Sequence, residues 1–217
     1  MRKRQIDIGR LAQFKDRCRA YAKPSTPLAG TRCDIRNEGA GISELYIYGA
    51  ISWDEITAND VASALTKVKG STIRVRINSP GGDVFDGVAI YNLLAQRSER
   101  VEVWIDSIAA SIASVIAMAG DEISIASNAQ IMIHRAWGIV AGHAGEVRDF
   151  AALLEQLESA QLIPSYARTG LSTTTLAQMM AAETWMDADT AVSKRFADKI
   201  LAKNGTKAMV RDRKAHV

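Results

Sequence analysis

The sequence predicts an α/β fold built on a largely parallel sheet, and three observations carry that expectation. Short runs of β-formers alternate with segments of helical periodicity, the order that builds βαβ units. Ile73, Val75 and Ile77 alternate with Arg74 and Arg76, the signature of a strand with one buried face. Two strands run into turns of small residues, Asn78-Ser79-Pro80-Gly81-Gly82 and Ala109-Ala110-Ser111, and open α/β sheets gather their sites beyond such strand ends.

Each element follows in order. Residues 1–36 carry weak periodicity, and Lys23-Pro24-Ser25-Thr26-Pro27 and Gly39-Ala40-Gly41 read as linker and turn. This divides the chain into a basic N-terminal arm and linker over 1–43, one domain over 44–201 and a basic tail over 202–217. Residues 45–48 are rich in β-formers and read as a strand. Thr57 reads as the N-cap of a helix whose stripe is Val61, Leu65 and Val68. The strand around Val75 ends at the Pro-Gly-Gly turn, and a helix follows with Val84, Val88, Tyr91 and Leu94 on one face. A strand is expected over 101–105, then a helix over 111–119 closed by Gly120. Residues 123–125 and 131–133 are two short strands. The remainder reads as helical. Val147, Phe150, Leu154 and Leu157 stripe a long amphipathic segment over 145–168. Thr173 opens a helix carrying Leu176, Met179 and Met180, and Asp187 caps a last one with Val192 and Phe196.

Composition narrows the function. A chain of 217 residues with 47% hydrophobic content can bury a real core. The net charge of +3 gives no global polyelectrolyte character and argues against nucleic acid as the partner. The basic excess is local: Arg2, Lys3, Arg4, Arg10, Lys15, Arg17, Arg19 and Lys23 at one end, Lys203, Lys207, Arg211, Arg213 and Lys214 at the other. These read as solvated ends, or as arms that touch nucleic acid or an acidic partner surface. Cys18 and Cys33 make no disulfide framework and no zinc motif, so free thiols in a reducing cytoplasm are expected. No apolar run reaches the roughly 20 residues of a membrane span, and no signal peptide is evident.

The chemistry-bearing residues are few. Ser111 stands at a strand-to-helix turn with Ala109 and Ala110 leaving its approach open. It reads as a nucleophile, or as an ordinary N-cap, with Ser107 and Ser114 competing on the same stretch. His134 follows an apolar strand and is the best placed of three histidines, since His143 lies in a glycine-containing loop and His216 in the tail. The glycines at 81 and 82 leave backbone N–H groups uncovered, as an oxyanion site requires. A third group would orient the histidine, and Glu183, Asp187 and Asp189 are the candidates, each equally readable as a helix-capping acid. Asp83 and Asp86 are single acids and form no metal-ligand cluster.

Taken in order, Asn-Ser-Pro-Gly-Gly, Ala-Ala-Ser and Met-Ile-His resemble the ClpP family of serine peptidases over roughly residues 44–201. The resemblance implies the ClpP/crotonase-like ββα superhelix, with the helix after His134 as a protruding handle. It implies Ser111 as nucleophile, His134 as general base, Gly82 and Ile112 as oxyanion donors, and Glu183 at the position of the family's catalytic Asp. No metal or organic cofactor is implied. The partners implied are a polypeptide substrate, further copies of the chain in a heptameric ring or double ring, and an AAA+ unfoldase. Ile108 and Ile112 stand where the family usually has Gln and Met, and Ala113 where it has Gly. With the basic arms and Glu183, these departures look more like phage-encoded head maturation proteases, whose substrates would be capsid or scaffold proteins. Two rivals stay open at this point: an inactive ClpP-like assembly component, and a crotonase-type acyl-CoA enzyme.

Overall fold

The computed structural model describes residues 31–201 apart from Ala40. The expected tail and most of the expected arm lie outside the described residues. The eight strands are β1 Ile35–Glu38, β2 Ile42–Tyr48, β3 Thr72–Ser79, β4 Arg100–Ala110, β5 Glu122–Ala126, β6 Gln130–Ile133, β7 Thr184–Asp187 and β8 Lys199–Leu201. They form one sheet of order β1-β2-β3-β4-β5-β8, with β6 pairing β4 and β7 pairing β6. Only β1–β2 and β6–β7 are antiparallel among these pairs. The largely parallel sheet read from the sequence is therefore present. It also takes in β1, a strand within the stretch expected to be arm and linker.

Strand periodicity sets the two faces of the sheet. Leu45, Ile47, Ile73, Val75, Ile77, Val103, Ile105, Ile123 and Ile125 are all fully buried on one face. Helices α1 Ala58–Leu65, α2 Val84–Ala95 and α3 Ile112–Ala117 contribute Val61, Leu65, Ile90, Leu94, Ile112, Val115 and Ile116 to the same core. The expected cap at Thr57 is a full capping box with Asp60. The expected residues of α2, Val84, Val88, Tyr91 and Leu94, all pack on the core, and Gly87 and Ile90 are buried beside them. Glycine at 87 lets α2 and α3 meet closely: a Cβ there would lie 2.0 Å from Ile112 Cγ1.

The other face is charged and satisfied within itself. Register aligns Glu44, Arg74 and Glu102, and beside them Tyr46, Arg76 and Trp104. Arg74 reaches Glu44 and Glu102 at 3.2 Å each and lies 4.2 Å from the Trp104 ring centre. Arg76 grips Asp106 through two bonds, 2.8 and 2.6 Å, and Tyr48 Oη donates to the same carboxylate at 2.5 Å. Burial, then that bond to Asp106, pushes the Tyr48 phenol up to about 12. Free Cys33 packs against the hydrophobic core and is pushed up to about 11 by burial.

Two expectations are corrected here. The strand expected over 101–105 runs on to Ala110, because Asp106 and Ser107 look like loop in sequence yet sit in a bulge. Ile77 pairs with Ile105 but Ser79 with Ala109, so extra residues of β4 bend it away from β5 and onto β6. The segment over 145–168 is not one helix. It comprises α4 Ala144–Leu157, a π-helical turn Glu158–Leu162, a short turn Ile163–Ser165 and a 3₁₀ turn Ala167–Thr169 ending at left-handed Gly170. His143, expected in a loop, caps α4 by accepting from Gly145 and Glu146 N–H groups. Leu157 is the one buried residue of α4, and Val147 is exposed. Helix α5 Thr173–Ala181 and helix α6 Ala188–Ser193 complete the fold, the latter capped by Asp187 as expected. No helix among the described residues is long and apolar enough to cross a membrane.

Candidate active site

The site forms where β3, β4 and β6 end. Ser111 follows β4 directly and His134 follows β6 directly, and these strands are parallel neighbours with Ala110 opposite Met132. The Ser111 N–H donates to the Met132 carbonyl at 2.9 Å, locking the serine turn to the strand that carries the histidine. Ser111 Oγ and His134 Nε2 are 2.7 Å apart. Ser111 has φ 55° and ψ −129°, and its side chain caps nothing. The ordinary N-cap reading is thereby excluded: an N-cap is extended and spends its oxygen on the helix. A bulky L-residue at this φ is strained by about 1–3 kcal/mol, a cost met typically at functional turns.

The glycine turn lies against the serine turn. A Cβ on Gly81 would sit 2.6 Å from the Ala110 carbonyl oxygen, 2.7 Å from Ser111 Cβ and 3.1 Å from Ile112 N. Only glycine leaves that approach open, and its φ of 91° is in the region glycine favours. Ile51 N–H donates to the Gly81 carbonyl at 2.8 Å, and Asp83 N–H to the Ile51 carbonyl at 2.7 Å. These two bonds make a parallel bridge between Ile51 and Gly82 that uses the groups on either side of Gly82 and not its own N–H. The N–H of Ile112, first residue of α3, has no helical acceptor.

The three candidate acids separate. Asp187 accepts from the Thr190 N–H at 2.8 Å as the cap of α6, and hydrogen bonding from Thr190 holds its carboxyl below the ordinary value. Asp189 lies in the first turn of the same helix. Glu183 lies between α5 and β7 with φ 48°. The β6–β7 ladder ends with Ile133 opposite Thr184, so His134 and Glu183 are the next residues of the two segments beyond it. Glu183 Oε1 accepts from the Trp185 indole N–H at 3.2 Å, and among the described residues no carboxylate bonds His134. Of the three acids Glu183 is nearest along the ladder to His134, and its carboxylate is turned to Trp185.

Sequence reasoning missed two features. Ser114, counted only as a competitor of Ser111, is fully buried; its Oγ lies 2.5 Å from the Ser111 carbonyl and 2.8 Å from Tyr166 Oη. Arg135, next to His134, bonds both Glu158 oxygens at 3.0 and 3.1 Å and ties this loop to the π-helical turn. Both pairings span many residues and leave no local pattern in the chain. No group of three or more metal-ligating side chains occurs among the described residues.

An α/β sheet that presents a serine hydroxyl to an imidazole at its strand ends has relatives among proteases. The profile described as Clp protease matches residues 42–204, and the chain belongs to that family. It is similar to proteins named ATP-dependent Clp protease proteolytic subunit. That of Bacteroides fragilis is 29% identical over 156 residues, 69% of this chain and 75% of the relative. That of Bacteroides thetaiotaomicron is 32% identical over 111 residues, 48% and 50% of the two chains. That of Porphyromonas gingivalis is 27% identical over 157 residues, 70% and 71%. Membership supports a peptidase and leaves the acyl-CoA reading without support.

Proposed function

We propose that this protein is a serine endopeptidase in which Ser111 attacks the scissile carbonyl and His134 moves the proton. The observation that carries the reading is the 2.7 Å contact between Ser111 Oγ and His134 Nε2 in a chain of the Clp protease family. For Nε2 to accept the hydroxyl proton, Nδ1 must carry the ring's hydrogen. As Oγ bonds to the carbonyl carbon, Nε2 takes the proton, and negative charge collects on the carbonyl oxygen. The Gly82 and Ile112 N–H groups are the donors for that oxygen. Collapse of the tetrahedral intermediate expels the amine with the proton from Nε2, and water repeats the sequence on the acyl-enzyme. Glu183 is the acid of the triad in this reading, which is supported by its place next to the end of the β6–β7 ladder that leads into His134.

The substrate is a polypeptide, and a capsid or scaffold protein is the inferred one, a reading supported by Ile108, Ile112, Ala113, Glu183 and the basic arms. We infer further copies of the chain as partners in a ring, supported by Val147 exposed on α4. The relatives' name brings in feeding by an unfoldase ATPase as one arm of the test, against ATP-independent cleavage. The experiment is labelling with a fluorophosphonate on wild type, Ser111→Ala and His134→Ala, with mass spectrometry locating the adduct, followed by digestion of a folded protein with and without ATP and a partner. An adduct on Ser111 that vanishes in both variants is the expected result. An assembled protein that takes no label is the inactive assembly component instead.

A further inference from the structure

The peptide bond between Ser111 and Ile112 is held from behind. Its carbonyl oxygen accepts from the Ser114 backbone N–H at 3.0 Å and lies 2.5 Å from Ser114 Oγ. A carbonyl has no hydrogen to give, so the Ser114 hydroxyl proton lies in that contact. The same hydroxyl oxygen is 2.8 Å from Tyr166 Oη, and with its one proton spent it can only accept there. The phenol therefore donates to Ser114, and Ser114 donates to the Ser111 carbonyl. Ser114 is fully buried and Tyr166 is 2% exposed. The Tyr166 ring packs on Phe196 with centroids 5.5 Å apart. Tyr166 follows the π-helical turn and lies 52 residues from Ser114, so the relay joins the handle segment to the serine turn.

We infer that Ser114 and Tyr166 are positioning residues that aim and polarise the Ile112 N–H toward the developing oxyanion. The inference rests on the peptidase reading above. A trans amide is planar, with its C=O and N–H antiparallel, and none of the described peptide bonds is cis. Fixing the Ser111 oxygen toward Ser114 therefore fixes the Ile112 hydrogen in the opposite direction, out of the core and toward the glycine turn. Hydrogen bonds accepted by the carbonyl also draw electrons from the amide nitrogen, which makes its N–H the stronger donor. A strained φ at Ser111 needs such holding, because the peptide plane would otherwise relax.

Ser114→Ala removes the hydroxyl and keeps the backbone N–H on the carbonyl. Tyr166→Phe removes one oxygen and keeps the ring on Phe196, so it carries the test if the first variant folds poorly. Turnover of a chromogenic peptide and inhibition by a peptide boronic acid, whose tetrahedral adduct fills the oxyanion position, are measured on both and on the double variant. Losing an oxyanion donor outright costs about 10²–10³ in kcat, so a misaimed donor in Ser114→Ala is expected to lower kcat by roughly tenfold. KM should be unchanged, the boronate should weaken in proportion, Tyr166→Phe should lose less, and the double variant should be no worse than Ser114→Ala. Unchanged kcat, or losses that multiply in the double variant, would overturn the relay. A wild type that neither turns over nor takes a fluorophosphonate on Ser111 overturns the peptidase reading and the relay with it. An active wild type with indifferent variants overturns the relay alone.

Discussion

Replacing Gly81 by alanine puts a methyl group where the glycine and serine turns touch. Its Cβ would lie 2.6 Å from the Ala110 carbonyl oxygen and 2.7 Å from Ser111 Cβ, and both neighbours belong to the turn rather than to a flexible chain end. Ordinary contacts of this kind begin near 3.4 Å, so the two turns must separate by most of an ångström. The backbone adds its own penalty, since a φ of 91° costs an alanine about 1–2 kcal/mol. A misplacement of about 1 Å at reacting groups can cost on the order of 100-fold in rate. Gly81→Ala is thus expected to lower the fluorophosphonate reaction at Ser111 by ~30–100-fold. Gly170→Ala is the control: its φ is 72°, its nearest neighbour is an Arg195 nitrogen at 3.4 Å, and no atom of the serine turn lies within 4 Å of the added methyl. It should lose about 1–2 kcal/mol of stability and no reactivity, which thermal unfolding and the same labelling rate will read. A Gly81→Ala protein that labels within twofold of wild type would show that the glycine turn does not govern the serine, and the oxyanion assignment to Gly82 would fall with it.

Other outcomes follow from the same geometry. Glu183→Gln should slow peptide turnover by roughly tenfold or more less than Ser111→Ala or His134→Ala does, as the acid is the smaller contributor where triads have been dissected; an equal loss would make the three inseparable. Val147→Asp puts a charge on the exposed apolar side of α4 and is expected to lower the assembled mass in light scattering without unfolding the subunit. Burial raises the Tyr166 phenol well above its ordinary value near 10, so the folded protein keeps a proton that the unfolded chain sheds. That stabilisation is complete below pH ~10 and is lost as pH rises further; Tyr166→Phe should therefore lose less stability than wild type as pH rises above ~10, read by denaturant midpoints.

The sequence was most legible where side-chain chemistry is local. Ile73, Val75 and Ile77 announced β3 because a strand's faces alternate, and Thr57 and Asp187 announced their helices because an N-cap needs a short acceptor. The adjacent glycines and the serine after two alanines marked both turns. Legibility failed where a pairing partner is distant. Asp106 hid the second half of β4, since its charge is answered by Arg76 and Tyr48 on other strands. Gly87 was missing from the expected face of α2, because the surface it presents is backbone. The π-helical turn has no signature in Glu158–Leu162 and is accompanied by Arg135, 23 residues earlier. Glu183 could be separated from Asp187 and Asp189 only by strand register.

The bend of β4 has a consequence for how the Ser111–His134 spacing is maintained. These residues are 23 apart in the chain, and helix α3 and strand β5 lie between the strands that carry them, yet neither element measures out their separation. The hydrogen-bond ladder between β4 and β6 does, and adjacent strands are held about 4.8 Å apart whatever side chains they carry. The sheet acts as a fixed gauge: the exposed residues 127 and 128 of the connection can change while hydroxyl and imidazole stay in register. Divergence at that connection is then cheap, and divergence of the two short paired stretches, 108–110 and 130–132, is not.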